Sequence, residues 1–134
     1  MRQDDAEVLG GPPVTGRLYA DSSATGGALS SQRITLANGA AGATPHHHTG
    51  SSELFYVLSG AAELLAGERV LTARQGDLVV VPPGTVHAFA AAPATDADLL
   101  IIITPGVERF EYFRHLQRIM TGEVPLESIL EASV

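Results

Sequence analysis

The chain has 134 residues, enough for one domain with a single hydrophobic core. Its net charge is −7, with 15 acidic residues against 8 arginines and no lysine, so we expect no nucleic-acid partner. The lack of lysine excludes Schiff-base chemistry, and the lack of cysteine excludes thiolate nucleophiles, thiolate metal sites and disulfides.

Residues 1–25 contain few large apolar side chains, so we expect a flexible N-terminal arm with at most one short strand, near Arg17–Ala20. Asp4 and Asp5 stand where a secretory signal would carry a basic flank. The longest aliphatic run, Leu99–Ile103, is too short to cross a bilayer. The sequence therefore predicts a cytoplasmic protein with no membrane partner.

Residues 26–104 alternate short apolar runs with glycine-containing turns, a pattern typical of a β-sandwich or β-barrel. Turns are predicted at Asn38-Gly39, Ser59-Gly60 and Pro83-Gly84 among others, because glycine accepts the positive φ that hairpins need. The predicted strands are Ala28–Ala37, His46–His48, Glu53–Ser59, Ala61–Leu65, Arg69–Ala73, Leu78–Val81, Val86–Ala91 and Leu99–Thr104.

In residues 105–134 the spacing of apolar residues changes from that of strands to that of a helix. Apolar residues recur there at three- and four-residue spacing, namely Val107, Phe110, Phe113, Leu116 and Met120. This spacing predicts an amphipathic helix that packs on the barrel. Pro125 is placed to open a final short helical turn over Leu126–Leu130.

Three predicted strands are apolar on both faces, whereas a strand with one solvated face alternates. They are residues 53–58, 78–81 and 99–103. Either the C-terminal helix and the N-terminal arm cover the outer faces, or a second subunit does. One helix is too narrow to cover three strands, so we expect a homodimer.

Three of the five histidines are consecutive. In a strand His46 and His48 point to one face, where they can chelate a metal, and His47 points to the other, so we expect His47 on the surface. Glu53 follows at an odd offset, but the turn-forming segment Thr49–Ser52 can restore it to the face of the pair.

A fourth metal ligand has two candidates. His87 follows a Pro-Gly turn and leads into an apolar strand, whereas His115 lies within the amphipathic helix, where a surface position is expected. Three imidazoles and one carboxylate suit one divalent transition-metal ion, Fe, Mn, Ni, Co, Cu or Zn, and leave positions open for a substrate or dioxygen.

Two spaced motifs resemble those of a known family. The first, His46-x-His48-x4-Glu53-x6-Gly60, resembles the first motif of the cupin superfamily, and Gly76-x5-Pro82-x-Gly84-x2-His87 resembles the second. The resemblance implies an all-β fold, a single antiparallel double-stranded β-helix of the jelly-roll kind with a C-terminal amphipathic helix. It also implies that His46, His48, Glu53 and His87 bind the metal.

Weaker similarity in the flanks, from about Gly26 to about Leu116, extends the resemblance to single-domain cupins similar to quercetin 2,3-dioxygenase. It implies a metal-dependent dioxygenase acting on a small enol, phenol or diketone. Glu53 is then both a ligand and the group that takes a proton from the substrate hydroxyl. By strand alternation, the expected pocket residues are Phe55, Val57, Phe89 and Ala91.

Two other functions remain open, because cupin barrels host many reactions. One is a non-redox, metal-dependent isomerase, cyclase or dehydratase of small-molecule metabolism. The other is a metal- or ligand-binding protein without turnover. The part of the chain after the barrel is too short and too acidic for a DNA-reading helix-turn-helix, which disfavours a DNA-binding regulator.

Overall fold

A computed structural model describes residues 1–123. The strands in chain order are β1 (Glu7–Gly11), β2 (Val14–Ala20), β3 (Ser30–Leu36), β4 (Ala41–His46), β5 (Ser52–Ala66), β6 (Arg69–Arg74), β7 (Leu78–Val81), β8 (His87–Ala91) and β9 (Ala97–Thr104). Helix α1 (Phe110–Met120) follows, and short 3-10 turns cover Gln3–Asp5 and Ser22–Thr25. The helical turn predicted over Leu126–Leu130 lies outside the described residues.

The strands form one antiparallel sheet that curls into a half-barrel. Its order is β1-β2-β3-β9-β5-β8-β4, and β6 and β7 also pair with β5. The first half of β5 pairs with β7 and β9, and its second half pairs with β6 and β8, so β5 belongs to both walls. The predicted all-β architecture with a C-terminal helix is confirmed.

Strand β5 runs without a break through Ser59-Gly60, where the sequence predicted a turn between two strands. Gly60 has a φ of 75°, and the register with β9 shifts between Val57 and Ser59, so the chain bends at a bulge without reversing. A Cβ at position 60 would lie 1.9 Å from the Asp96 carbonyl oxygen. The two-strand prediction was wrong here because glycine marks bulges as well as turns.

The N-terminal segment forms a hairpin, β1 and β2, at the edge of the sheet. The sequence predicted at most one strand in this segment. Strand β2 pairs with β3 from Val14 opposite Leu36 to Ala20 opposite Ser31, and Leu18 is 2% exposed. Backbone hydrogen bonds to β3 and the buried Leu18 stabilise the hairpin. Counting apolar residues in the sequence reveals neither the hydrogen bonds nor the burial of this one leucine.

The hydrophobic core lies between the two walls and takes alternate residues from each strand. On β9, for example, Leu99 and Ile101 are buried while Leu100 and Ile102 are partly exposed. Burying each large apolar side chain contributes about 1.5–3 kcal/mol, so this layer dominates the stability of the barrel. The largest fully buried side chains are Phe55, Leu36, Leu64, Leu99, Ile101, His87, Val57 and Val81.

Helix α1 is joined to the barrel at its beginning and along one side. Asp21 Oδ1 accepts a hydrogen bond from the backbone N–H of Arg109 at 2.9 Å, and Oδ2 accepts one from that of Phe110 at 3.3 Å. Further along, Arg114 pairs with Glu7 of β1 at 2.7 Å. The start of α1 is therefore fixed beside the end of β9. Residues 1–123 include no helix of the length and apolarity needed to cross a membrane.

Candidate metal centre

Two of the predicted ligands meet where β4 ends and β8 begins. His46 is the last residue of β4, and it lies opposite His87, the first residue of β8. Cross-strand neighbours have adjacent side chains, and the centroids of these two rings are 4.3 Å apart. The pairing of β4 with β8 thus joins the two sequence motifs at one point.

His48 reaches the same point although β4 ends two residues earlier. The predicted strand over His46–His48 was therefore too long. The chain is held there because the His48 carbonyl oxygen accepts a 2.7 Å hydrogen bond from the backbone N–H of Gly84. The His48 ring lies 5.3 Å from that of His46 and 5.5 Å from that of His87, whereas His47 is exposed. The predicted surface position of His47 is confirmed.

Glu53 enters from the opposite wall near the start of β5. The chain bends at Thr49 and Gly50, and Ser51 Oγ donates a 2.7 Å hydrogen bond to the Pro105 carbonyl oxygen, which fixes the approach. Glu53 is only 4% exposed. The bend therefore brings this carboxylate to the histidines, as the sequence predicted.

The four side chains form a compact set of donors. Their ligand atoms all lie within 4.8 Å of one another. Glu53 Oε2 is in close ion-pair contact with His87 Nε2, yet these two atoms and His48 Nε2 are buried without a partner in hydrogen-bonding geometry among residues 1–123. Buried polar groups are normally satisfied. Three nitrogen donors and one oxygen donor are a suitable set for a transition metal, so the residues present fit a metal ion.

The orientation of His87 is set by a hydrogen bond outside the donor set. Its Nδ1 lies 2.9 Å from the Thr85 carbonyl oxygen, which requires the N–H on Nδ1, so the neutral ring has its lone pair on Nε2. Thr85 could not be identified from the sequence, because every residue has a backbone carbonyl whatever its side chain. Its contact holds His87 in the tautomer that a metal ligand needs.

The pKa values of His48 and His87 shift in opposite directions. Burial lowers the pKa of His48, because a charged imidazolium is costly away from water. Burial acts on His87 too, but the Glu53 carboxylate and the Thr85 carbonyl stabilise its protonated form more strongly and raise its pKa. His87 therefore holds a proton more readily than His48 in the metal-free protein, and a bound metal would displace it.

Of the predicted pocket residues, Phe55 lies beside the donor cluster, Phe89 lies beside Phe55, and Val57 and Ala91 lie in the core. The Phe55 ring is 6.1 Å from the His87 ring and 5.4 Å from the Phe89 ring, centroid to centroid. Gly42 makes room for Phe89, since a Cβ there would lie 2.0 Å from the ring. Val57 and Ala91 are 0% and 3% exposed within the core. Contact between these side chains and a substrate stays a prediction.

His115 lies outside the donor set, and Arg109 lies beside it. His115 lies on α1 and is not part of the donor set, so the structure brings His87 and not His115 to the cluster. Arg109, which was not singled out from the sequence, acts electrostatically on both His48 and Glu53. The feature of the sequence that could have drawn attention to Arg109 is its position just before α1.

The chain belongs to the cupin family. The family described as "Cupin domain" matches residues 32–103, which is more than half of the chain and includes all four donor residues. The predicted superfamily is therefore confirmed. A comparison with curated protein sequences gives no match.

Solved structures share the fold at low sequence identity. An RmlC-like cupin from Shewanella frigidimarina has a TM-score of 0.68 and 21% identity, covering 82% of this chain and 93% of its own. A predicted oxalate decarboxylase from Thermotoga maritima has a TM-score of 0.67 and 20% identity, covering 77% and 96%. The nucleoside dehydratase Pac13 of Streptomyces has a TM-score of 0.64 and 16% identity, covering 81% and 82%.

Proposed function

We propose that this cupin binds one divalent transition-metal ion and uses it to transform a small molecule. The observation that carries the proposal is the group of buried atoms without hydrogen-bond partners, His48 Nε2, Glu53 Oε2 and His87 Nε2, beside His46. Leaving a buried polar group unsatisfied costs about 1–3 kcal/mol. A metal ion would satisfy all of these atoms at once, so the arrangement is explained by a ligand.

The donor set narrows the choice of metal. With three imidazoles and one carboxylate, Fe, Mn, Ni, Co, Cu and Zn are all suitable, whereas calcium and magnesium prefer sites made of oxygen donors. The absence of cysteine removes the soft thiolate donor that would favour zinc or Cu(I).

The residues around the donors would prepare the site for proton transfer in a dry environment. Thr85 holds His87 in one tautomer, and Glu53 is placed to accept a proton from a substrate hydroxyl. Phe55 and Phe89 close the floor of the site and exclude water from below. We therefore assign Glu53 the role of general base as well as ligand.

The first reaction we propose is dioxygenation of a small enol, phenol or diketone. A redox-active metal supplies both a Lewis acid and an electron path to dioxygen when it is bound. The protein side of this reaction consists of the Glu53 proton acceptor and the apolar floor. Among residues 1–123, Glu53 is the only buried carboxylate, which favours chemistry at the metal over a two-carboxylate mechanism.

A second reaction, non-redox dehydration or isomerisation, is supported by the buried carboxylate of Glu53 among the donors. As the general base, Glu53 can take a proton and return it, as elimination of water requires. One fold neighbour is described as a nucleoside dehydratase, although at 16% identity it supports only the fold. Metal or ligand binding without turnover is the remaining alternative.

Elemental analysis of untagged protein tests the proposal. We expect about one equivalent of metal per chain in the wild type, with most of it lost from a His46→Ala/His48→Ala variant. His47→Ala is the matched control and should retain the metal, because His47 is exposed. No metal in the wild type after reconstitution would refute the proposal.

Substrate consumption with and without oxygen then separates the two reactions. Turnover of flavonols or diketones that requires dioxygen supports the dioxygenase, and turnover that continues under strict anaerobiosis supports the non-redox enzyme. Metal binding without turnover in either atmosphere would leave a binding protein.

A further inference from the structure

Four strands lie at the edges of the sheet, and β7 differs from the other three. Strands β1, β4, β6 and β7 each pair with a single neighbour among residues 1–123. Proteins protect such edges with charged residues, proline or bulges, because unpaired backbone groups can bind another strand. Glu7 on β1, Pro45 on β4 and Arg69 on β6 provide this protection. Strand β7 (Leu78–Val81) contains neither a charge nor a proline, and its register with β5 has no shift.

The free edge of β7 consists of the backbone groups of Leu78 and Val80. The N–H of Val57 donates to the Asp77 carbonyl oxygen at 3.1 Å, so the backbone of Asp77 faces β5. Backbone groups alternate in direction along an antiparallel strand, and the next residue to face β5 is Val79. Leu78 and Val80 therefore direct their N–H and C=O groups away from β5, where no strand among residues 1–123 pairs with them.

The side chains of the same two residues are exposed. Leu78 and Val80 are 56% and 53% exposed, although both are large and apolar, whereas Val81 beside them is 1% exposed. Apolar side chains and unpaired backbone groups thus lie together at one edge. This combination makes β7 a template for another strand.

The ends of β7 limit the length of a strand that can pair with it. Pro82 and Pro83 follow directly, and proline has no N–H to donate. At the other end the chain turns, because the N–H of Asp77 donates to the Arg74 carbonyl oxygen at 2.9 Å and the Asp77 carboxylate accepts from the Arg74 N–H at 2.8 Å. A partner strand therefore pairs over the 4 residues of β7, which is the length of β7 itself.

A second β7 matches this edge by symmetry. In an antiparallel pair centred on Val79, Leu78 lies opposite Val80 of the partner subunit, and the two-fold axis repeats this pair. Each pair exchanges two backbone hydrogen bonds, so about four bonds satisfy the whole edge. Asp77 lies opposite Val81 of the partner subunit, so no like charges face each other although each chain carries −7.

We propose that this protein forms a homodimer by antiparallel pairing of β7 with β7 of a second copy, so that one continuous sheet crosses both barrels. The pairing specifies the geometry of the homodimer that the two-faced strands predict. It does not depend on the proposed metal function. Because Val81 lies opposite Glu53 of β5, the interface lies one strand away from the donor cluster.

The absence of cysteine allows a disulfide test of the register. Val79 and Val79 of the partner subunit form a non-hydrogen-bonded pair, with Cα atoms about 4.5 Å apart, which a disulfide can span. Val79→Cys should therefore give covalent dimers under mild oxidation, measured by non-reducing electrophoresis. Val70→Cys on the edge strand β6 is the matched control, because Val70 is 68% exposed and is open to random collision. Equal cross-linking of the two variants, or none of Val79→Cys, would overturn the inference.

Substitutions at Val80 separate edge pairing from packing of apolar faces. Val80→Pro removes an N–H that points away from β5, so it should leave the fold intact and weaken the dimer at least tenfold in sedimentation equilibrium. Val80→Ala removes the apolar side chain but keeps the N–H, and it should weaken the dimer less. Circular dichroism checks that both variants fold. Equal dissociation constants for the two variants would show that faces pack without paired edges, which contradicts the inference.

Hydrogen exchange provides a test on the unmodified chain. The amides of Leu78 and Val80 should exchange more slowly as the protein concentration rises, because dimer formation protects them. The amide of Val79, which faces β5, should be protected at every concentration. Fast exchange of Leu78 and Val80 at all concentrations would refute the pairing. Slow exchange in a protein that sediments as a monomer would also refute it, since another segment of the same chain would then cover the edge.

Discussion

Two residues of the donor cluster, Glu53 and His87, are buried as deeply as the apolar layer beneath them, but the cluster and the layer are built in opposite ways. Glu53 and His87 are 4% and 2% exposed, and Phe55 and Leu99 are both 0% exposed. The apolar side chains complement one another, whereas three buried atoms of the cluster have no partner in hydrogen-bonding geometry among residues 1–123, namely His48 Nε2, Glu53 Oε2 and His87 Nε2. Burial therefore contributes to stability in the apolar layer, whereas in the cluster it supports the proposed metal site. The two layers should therefore respond separately to substitution.

The largest expected effect is in the apolar layer. Leu99→Ala should lower the free energy of unfolding by about 2–5 kcal/mol, because it removes buried contacts and leaves a cavity. Chemical denaturation measures this change. Leu100→Ala, on the outer face of the same strand, should cost less. Equal losses for the two variants would contradict the assignment of the core.

The next effect distinguishes the cluster from the apolar layer. His48→Ala should leave the metal-free protein about as stable as the wild type, because His48 Nε2 has no hydrogen bond to lose. It should abolish the stabilisation by added metal, which is about 2.7 kcal/mol at a hundredfold excess over Kd. Thermal unfolding with and without metal provides the comparison. A large loss of stability in the metal-free variant would show that the cluster supports the fold itself.

The outer face of the same wall provides a third test. We define the outer patch as Leu54, Tyr56, Leu78 and Val80, which are cross-strand neighbours of β5 and β7. Tyr56, Leu78 and Val80 are 41%, 56% and 53% exposed. We propose that a second copy of the chain covers the outer patch, as the two-faced strands predict. Leu78→Glu/Val80→Glu should weaken the dimer at least tenfold, or about 1.4 kcal/mol, in sedimentation experiments. A wild type that sediments as a monomer would refute the dimer.

The smallest effect concerns the start of α1. Burial alone would raise the pKa of Asp21, but hydrogen bonds led by the backbone N–H of Arg109 outweigh burial and lower it. A lowered pKa means that ionised Asp21 stabilises the fold above its unfolded pKa, and that this contribution is lost as the pH falls through the folded value.

Asp21→Asn should therefore cost about 1 kcal/mol at neutral pH, since an amide N–H₂ replaces one accepting oxygen. The free-energy difference between variant and wild type should shrink at acid pH. A difference that does not depend on pH would show that the charge of Asp21 is not involved.

The sequence predicted that His46, His48, Glu53 and His87 would meet, and the structure brings them together, because residue types and their spacing can be read directly from the chain. It predicted that His46 and His48 would face Glu53, although the reason in the structure is the hydrogen bond from Gly84 and not a longer strand. It did not predict that Arg109 would lie beside the donor set. That position depends on where α1 packs across the ends of β3 and β9, a long-range contact that no local pattern encodes.

The bent strand β5 has a consequence for how the protein can change in evolution. Near its start it carries Glu53 at the donor cluster. It then bends at Gly60 and ends with Ala66 opposite His87. Strand β5 thus sets the distance between Glu53 and β8, the strand that carries His87. Inserting a single residue on either arm would turn the following side chains to the other face. Insertions should therefore accumulate in the Gly67-Glu68 turn, and β5 should keep its length in any descendant that retains the centre.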